Sequence, residues 1–344
     1  MLSINSKLVA IPKQNTKNKL VLRKQAASRA KVKANAAESG EVTIRRRPPG
    51  SILAQTFMGN NGPESKPHNI LEEIVWYKAR EVEAFREKLP LEALTKIVET
   101  MQPTLDFRGS ILKNSAKTGK PGLIAEVKKA SPSKGIIQPD FDPIRIAKAY
   151  EAGGASCLSV LTDEKFFQGS FDNLRLIRAS GVRLPMLCKE FIVDPYQIFK
   201  ARACGADAIL LIASVLTTAE MQSFIQIAAS LNLQCLIEVH TTGELARVLK
   251  IPLDLLRQRC LLGINSRDLQ TFKVDLHTVR KIMESPEGLK VKEAQLLMTA
   301  ESGIFTSADV SFVQDAGCGA ILVGESIVKQ GDPETGVKKL LGLI

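Results

Sequence analysis

Hydrophobic residues come in short runs through most of this chain. From residue 120 on they lie near 123–128, 157–161, 186–190, 207–212, 234–239, 260–264, 295–299 and 320–323. Runs this short, bounded by turn residues, have the length of strands rather than helices. Between them, apolar positions recur at helical spacing over 143–152, 172–180, 196–204, 218–231, 242–250 and 307–316. Strands that alternate with helices predict a parallel sheet, because each parallel pair needs a crossover. Eight regular units favour closure into a (β/α)8 barrel over an open, doubly wound sheet. Glycines in Ala152-Gly-Gly-Ala155, Cys204-Gly-Ala-Asp207 and Ala316-Gly-Cys-Gly-Ala320 stop helices just before strands two, four and eight.

One further helix is predicted ahead of the barrel, over about 69–89. Ile70, Leu71, Ile74, Val75, Val82 and Phe85 fall on one face. Asn69 is a good N-cap, Glu72 three residues on would complete a capping box, and Pro90 ends the helix. Such a face must pack on something, so the helix is expected to cap the main domain. Trp76 reads as packing. Residues 58–68, rich in Gly, Asn and Pro, read as a linker. The chain thus divides into a segment 1–60, outside the fold, and a domain 61–344.

The alternation in strand one is broken by charge. In Leu123-Ile-Ala-Glu126-Val-Lys128, Glu126 and Lys128 point the same way as Ile124. A charge on an inward face is costly unless paired or used. A surface salt bridge at the strand end is the plain alternative. The other strand ends argue against it, because nearly all of them carry polar groups. Strand two leads to Thr162-Asp-Glu-Lys-Phe166-Phe167-Gln-Gly-Ser170, and strand three ends at Cys188-Lys189-Glu190-Phe191. Strand five ends at Glu238-Val-His240, strand six at Asn265-Ser-Arg267-Asp268, strand seven at Glu301-Ser302-Gly303, strand eight at Gly324-Glu325-Ser326. In a barrel these C-terminal ends surround one mouth, where chemistry is done. The small turns after strands seven and eight can turn backbone N–H groups toward an anion, which points to a phosphorylated ligand. The loop 129–135 after strand one reads as a lid. His240 reads as a rim residue. Cys188, on the opposite parity to Lys189, should face the helices and be inert.

Charge and composition narrow the classes. The formal net charge is +11, but residues 1–50 hold 12 of the 47 Lys and Arg and only 2 of the 36 acidic residues. The rest of the chain is nearly neutral, which speaks against nucleic-acid binding by the folded part. The basic segment lacks the apolar stretch of a secretory signal and fits an organellar transit peptide; a plain basic tail is the alternative. No apolar run approaches the ~18 residues of a membrane span. The six cysteines stand apart, mostly within apolar runs, and read as buried thiols; with three histidines, no metal site is predicted.

The motifs Glu126-Val-Lys-Lys-Ala-Ser-Pro-Ser-Lys-Gly135, Leu161-Thr-Asp-Glu-Lys-Phe-Phe-Gln-Gly-Ser170, Cys188-Lys-Glu-Phe-Ile-Val-Asp194, Ile237-Glu-Val-His240, Gly263-Ile-Asn-Ser-Arg-Asp-Leu269 and Ala300-Glu-Ser-Gly-Ile304, in this order, resemble the indole-3-glycerol phosphate synthase family. The resemblance runs from about residue 69 to the C-terminus and includes the extra helix. It implies a TIM barrel that closes the indole ring of 1-(o-carboxyphenylamino)-1-deoxyribulose 5-phosphate, releasing carbon dioxide and water, in tryptophan biosynthesis. No cofactor and no metal are implied. By motif, Lys189 would be the general acid and Glu238 the general base. Lys128 would bind the carboxylate and share acid duty, Glu126 would orient the lysines, and Asn265 and Arg267 would hold carboxylate and hydroxyl groups. Glu301 would bond the sugar or support a lysine. Ser131, Ser302, Gly303, Gly324 and Glu325 would line the phosphate site. The Glu325 carboxylate would have to turn away from the anion. Phe167 and Phe191 would lie against the aromatic ring. The basic N-terminal segment resembles that of plant, plastid-targeted members. A monomer or weak dimer, and a transient contact with tryptophan synthase, are compatible with it. A phosphoribosyl isomerase is the nearest competing barrel, but its acid–base pair at strands one and six is replaced here by Glu126, Lys128 and Asn265.

Overall fold

Parallel strands need helices to return the chain, and the computed structural model shows that arrangement carried to closure. It describes Ile44, Arg46 and residues 66–268 and 273–344. The strands are β1 (Gly122–Val127), β2 (Cys157–Leu161), β3 (Met186–Lys189), β4 (Ala208–Ile212), β5 (Gln234–Val239), β6 (Cys260–Asn265), β7 (Met298–Glu301) and β8 (Ala320–Val323). Each pairs in parallel with its sequence neighbour, and β1 pairs with β8, so the barrel has no edge. The strands are buried almost throughout, as expected when helices cover the outside and side chains fill the inside.

The pattern located the strands closely, with one shift. The seventh run was expected over 295–299, but β7 is Met298–Glu301. Gln295 has φ +53°, a left-handed turn that delays entry into the sheet.

The extra helix, α1 (Ile70–Lys88), buries Leu71, Ile74, Val75 and Val82 as the spacing predicted. Its cap differs in one detail. Asn69 accepts from the Glu72 N–H, but the Glu72 carboxylate accepts from the backbone of His68, one residue earlier than a capping box requires. At the other end, the Tyr196 hydroxyl lies 3.0 Å from the Phe85 carbonyl and 2.8 Å from that of Leu89. It reaches the Phe85 carbonyl, which also accepts the Leu89 N–H, and the Leu89 carbonyl just past the helix.

Between α1 and β1, two helices lie where the hydrophobic pattern predicted none: α2 (Leu91–Glu99) and α3 (Phe107–Thr118). The second closes the N-terminal end of the barrel. Phe107 and Ile111 are fully buried, and Ile111 lies against Gly122 at the start of β1. Leu105 and Arg108 donate backbone N–H groups to Asp207 and Gln234, near the starts of β4 and β5. Asn114 donates to Ser156, just before β2. The segment therefore crosses the whole lower mouth. The expected segment 1–60 lies outside the described residues except for Ile44, which is buried, and Arg46, which pairs with Glu220 at 2.5 Å.

Ile111→Ala should remove a side chain that nothing else can replace under β1. The expected loss is about 2–5 kcal/mol of unfolding free energy, read from denaturant curves. A loss under about 1 kcal/mol would mean that α3 does not seal the barrel.

Candidate active site

Because side chains alternate along a strand, a barrel aims every second residue inward. Near the C-terminal ends these inward residues surround a cavity of about 450 Å3. β1 supplies Glu126, with Lys128 just beyond it, and the following hairpin supplies Ser131. Phe167 comes from the short helix after β2, and Lys189 and Phe191 from the end of β3. Glu238 stands on β5, Asn265 on β6 with Arg267 after it, and Glu301 on β7. The turns after β7 and β8 add Ser302, Gly303, Gly324 and Glu325. All fourteen residues singled out from the sequence line this one cavity. Its apolar floor is Leu161, Leu210, Ile212 and Leu322.

The charged groups are arranged around Lys189. Its ammonium lies 3.3 Å from Glu238 and 3.8 Å from Glu301. Burial opposes its charge, but Glu238, Glu301 and Glu126 outweigh burial and raise its pKa above the ordinary lysine value. Burial also opposes the charge of Glu238, yet Lys189, His240 and Asn265 hold that carboxyl well below its usual range. Glu301 goes the other way. Burial, then the charge of Glu238, push its carboxyl up to about 8. Two carboxylates beside one ammonium do not both ionise readily, so one keeps its proton. The Lys128 ammonium donates to Glu126. Asn265 connects the two halves of the mouth: its amide donates to Glu238 at 3.2 Å, and its oxygen accepts from Ser302 Oγ at 2.8 Å and from the Arg267 N–H at 3.0 Å.

The turns after β7 and β8 form the opposite wall. Ser302 and Gly303 have φ +66° and +79°. Left-handed backbone is unfavourable for serine by roughly 1–2 kcal/mol, and the bond to Asn265 holds it there. At Gly303 a Cβ would also come within 2.8 Å of Val274, so glycine is required twice over. Ser326 Oγ donates to the Ile304 carbonyl at 2.8 Å and ties the two turns together. Glu325 is held by Lys134 at 2.5 Å and Lys329 at 2.6 Å. Its carboxylate thus has cationic partners of its own. Burial works against its charge, but these two lysines keep its pKa below the usual range. Lys134 belongs to the loop read as a lid, which forms a small hairpin of Ala130–Ser131 with Gly135–Ile136.

On the far side, the rings of Phe167 and Phe191 lie 5.9 Å apart, tilted by 37°. Two carboxylates hold them in place. Asp163 accepts from the N–H groups of Phe166 and Phe167, and Glu190 accepts from that of Phe191.

Sequence reasoning missed three residues and misplaced a fourth. Lys134 and Glu190 also line the cavity. Lys78, from α1, reaches Glu190 and Asp163 from outside it. It stands in a core slot between Ile74 and Val82, and a charge there was the available signal. His240 is not a rim residue. Its ring is nearly buried behind Glu238, 3.3 Å from that carboxylate and 3.5 Å from Glu244. Burial lowers its pKa, but the two carboxylates raise it to about 10, so it is an imidazolium at neutral pH. Cys188 is buried, and burial pushes its thiol far above the usual value, in keeping with an inert role.

The raised pKa of Glu301 has a stability consequence. Its bound proton favours the folded state fully below the unfolded value of about 4.5, and that contribution is lost as pH rises through about 8. The denaturation midpoint should therefore fall between about pH 5 and 8, and further just above, by more in the unaltered chain than in Glu301→Gln, which has no proton to lose. Parallel profiles for the two proteins would refute a protonated Glu301.

The chain is similar to known proteins over most of its length. The family model described as indole-3-glycerol phosphate synthase matches residues 71–340. A chloroplastic indole-3-glycerol phosphate synthase of Arabidopsis thaliana is 50% identical over 307 residues, covering 88% of this chain and 75% of that one. The indole-3-glycerol phosphate synthase of the cyanobacterium Rippkaea orientalis is 51% identical over 280 residues, covering 81% of this chain and 92% of that one. Both matches span most of either chain. The chain belongs to the indole-3-glycerol phosphate synthase family.

Proposed function

We propose the following division of labour among the residues of the mouth for the ring closure of 1-(o-carboxyphenylamino)-1-deoxyribulose 5-phosphate. One observation carries it: a lysine that holds its proton and a glutamate that has lost its own face each other at 3.3 Å over an apolar floor. That is the pairing an acid–base sequence at neutral pH requires.

The phosphate lies against the turns Ser302-Gly303 and Gly324-Glu325, with Ser131 from the hairpin. The arene lies beside Phe167 and Phe191. Lys128 and Arg267 hold the carboxylate, and Asn265 fixes Glu238 and a substrate hydroxyl. Lys189 donates a proton to the C2 carbonyl oxygen while the ring carbon bearing the carboxylate attacks C2. The new carbon–carbon bond uses ring π electrons. Loss of carbon dioxide returns the electron pair of the broken bond to the ring. The hydroxyl left at C2 departs as water on a second proton, from Lys128 or from Lys189 once solvent has reprotonated it. Glu238 takes the proton from C1, and the double bond of the pyrrole ring forms. Glu126 orients both lysines. Glu301, protonated, can donate to the sugar without adding a third negative charge beside Glu238.

In the same reading the chain works in the plastid stroma as a monomer or weak dimer and passes its product on by transient contact with tryptophan synthase. The chloroplastic relative and the basic composition of residues 1–50 support the location.

With this substrate the full chain should produce growing indole fluorescence. Lys189→Met and Glu238→Gln should each lower kcat by about 10²–10⁴-fold with little change in KM. A Lys189→Met protein that keeps the full rate would remove Lys189 from the chemistry. The full chain fused to a fluorescent protein should enter plastids in plant cells. A fusion lacking residues 1–60 should stay in the cytosol, and equal import of both would rule out a transit peptide.

A further inference from the structure

Lys78 is the least expected charge in the molecule. It lies on the core face of α1, and its side chain has no exposure at all. Its ammonium is 2.6 Å from Glu81, 2.7 Å from Asp163 and 2.9 Å from Glu190. One of its donors goes to Glu81, and its charge is paired with Asp163 and Glu190 as well. Lys78 does not itself line the cavity that holds the chemistry. What it touches is the support of the aromatic wall.

Asp163 is fully buried and has two oxygens with separate duties. One caps the short helix Glu164–Phe167 by accepting from Phe166 and Phe167 at 2.6 and 3.1 Å; the other faces Lys78. Glu190 is divided in the same way. One oxygen accepts from the Phe191 N–H at 2.8 Å and is ion-paired with Lys78; the other accepts from the Thr162 hydroxyl at 2.9 Å. A single cation therefore bridges the two carboxylates that fix the backbone at Phe167 and at Phe191. The edge-on contact of Tyr77 with Phe166, at 5.8 Å between centroids, adds a second link from α1 to the same short helix.

We infer that Lys78 is a positioning residue for the ring-binding wall: by joining α1 to Asp163 and Glu190, it sets the spacing of Phe167 and Phe191. The inference rests on the proposal that these two rings hold the arene of the substrate. Its consequence is selective. The phosphate turns after β7 and β8 receive nothing from Lys78, and Lys189 and Glu238 stand on strands fixed by their own ladders. Without Lys78, two carboxylates repel each other where one cation had drawn them together. The wall should loosen while the rest of the mouth keeps its shape.

The test compares two unreactive ligands by calorimetry: the ribitol form of the substrate, reduced at its carbonyl, and ribitol 5-phosphate, which lacks the ring. In Lys78→Met the dissociation constant of the ringed ligand should rise at least tenfold, and that of ribitol 5-phosphate should stay within twofold. KM for the substrate should rise by more than kcat falls. Asp163→Asn keeps the helix cap, since an asparagine oxygen accepts as well, but turns an amide toward Lys78. It should show the same selectivity at about threefold or more, and it decides the matter if Lys78→Met does not fold. Equal weakening of both ligands, or none in a folded variant, would overturn the role of Lys78. Phe191→Ala separates the two ideas. Selective loss there but not in Lys78→Met or Asp163→Asn removes Lys78 alone, whereas no selective loss in any of them removes the ring reading as well.

Discussion

Burying charge governs the upper half of this barrel. Glu126, Glu238 and Glu301 are nearly removed from solvent, and an unpaired carboxylate in such a place costs several kcal/mol. Every other feature of the mouth answers that cost. Lys189 and Lys128 are the cations within reach, His240 stands behind Glu238, and Glu301 keeps a proton. Room is made by glycine. A Cβ on Gly263 of β6 would lie 2.1 Å from Glu301, and one on Gly324 would lie 2.9 Å from Cβ of Glu126. Neighbouring strands thus give up side-chain volume so that two carboxylates can fold into the mouth. The same groups that make the site hard to build give it an acid and a base in opposite states at one pH.

Much of this was legible in the sequence because barrel geometry is periodic. Eight short apolar runs, nearly all of them ending in polar residues, leave little choice about where those residues meet. The shared parity of Glu126 and Ile124 is enough to announce an inward carboxylate. The glycines at 303 and 324 announce close turns. The Glu325 carboxylate is paired with two lysines.

What escaped has physical reasons. Helix α3 carries only two buried side chains, Phe107 and Ile111, on a polar segment, too few to reveal a period. Its place under the barrel is set by hydrogen bonds to the starts of β2, β4 and β5, which no local pattern encodes. Lys78 was hidden for a related reason. Its spacing put it in the core, but two of its partners come from the ends of β2 and β3, far along the chain. His240 lies one residue past β5, so strand parity no longer fixed its direction. The backbone N–H of His240 donates to Glu244 at 2.6 Å, and that bond folds the ring back behind Glu238.

The mouth divides its tasks between rigid and adjustable parts. Proton transfer needs atoms placed to within a fraction of an ångström. Lys189, Glu238, Asn265 and Glu301 all lie on strands and are each paired in at least one ladder. The proposed grip on an aromatic ring tolerates more play, and Phe167 and Phe191 lie just beyond strands, on a short helix and a loop. Left alone, such segments would open easily, because loops lie at the low end of local stability. Their buried carboxylates share a cation from outside the barrel, which α1 brings. A helix added ahead of a complete eight-stranded fold thereby acquires a reason to be there. It covers apolar surface with Leu71, Ile74 and Val75, and through one buried lysine it gives the loops the constraint that the strands already possess.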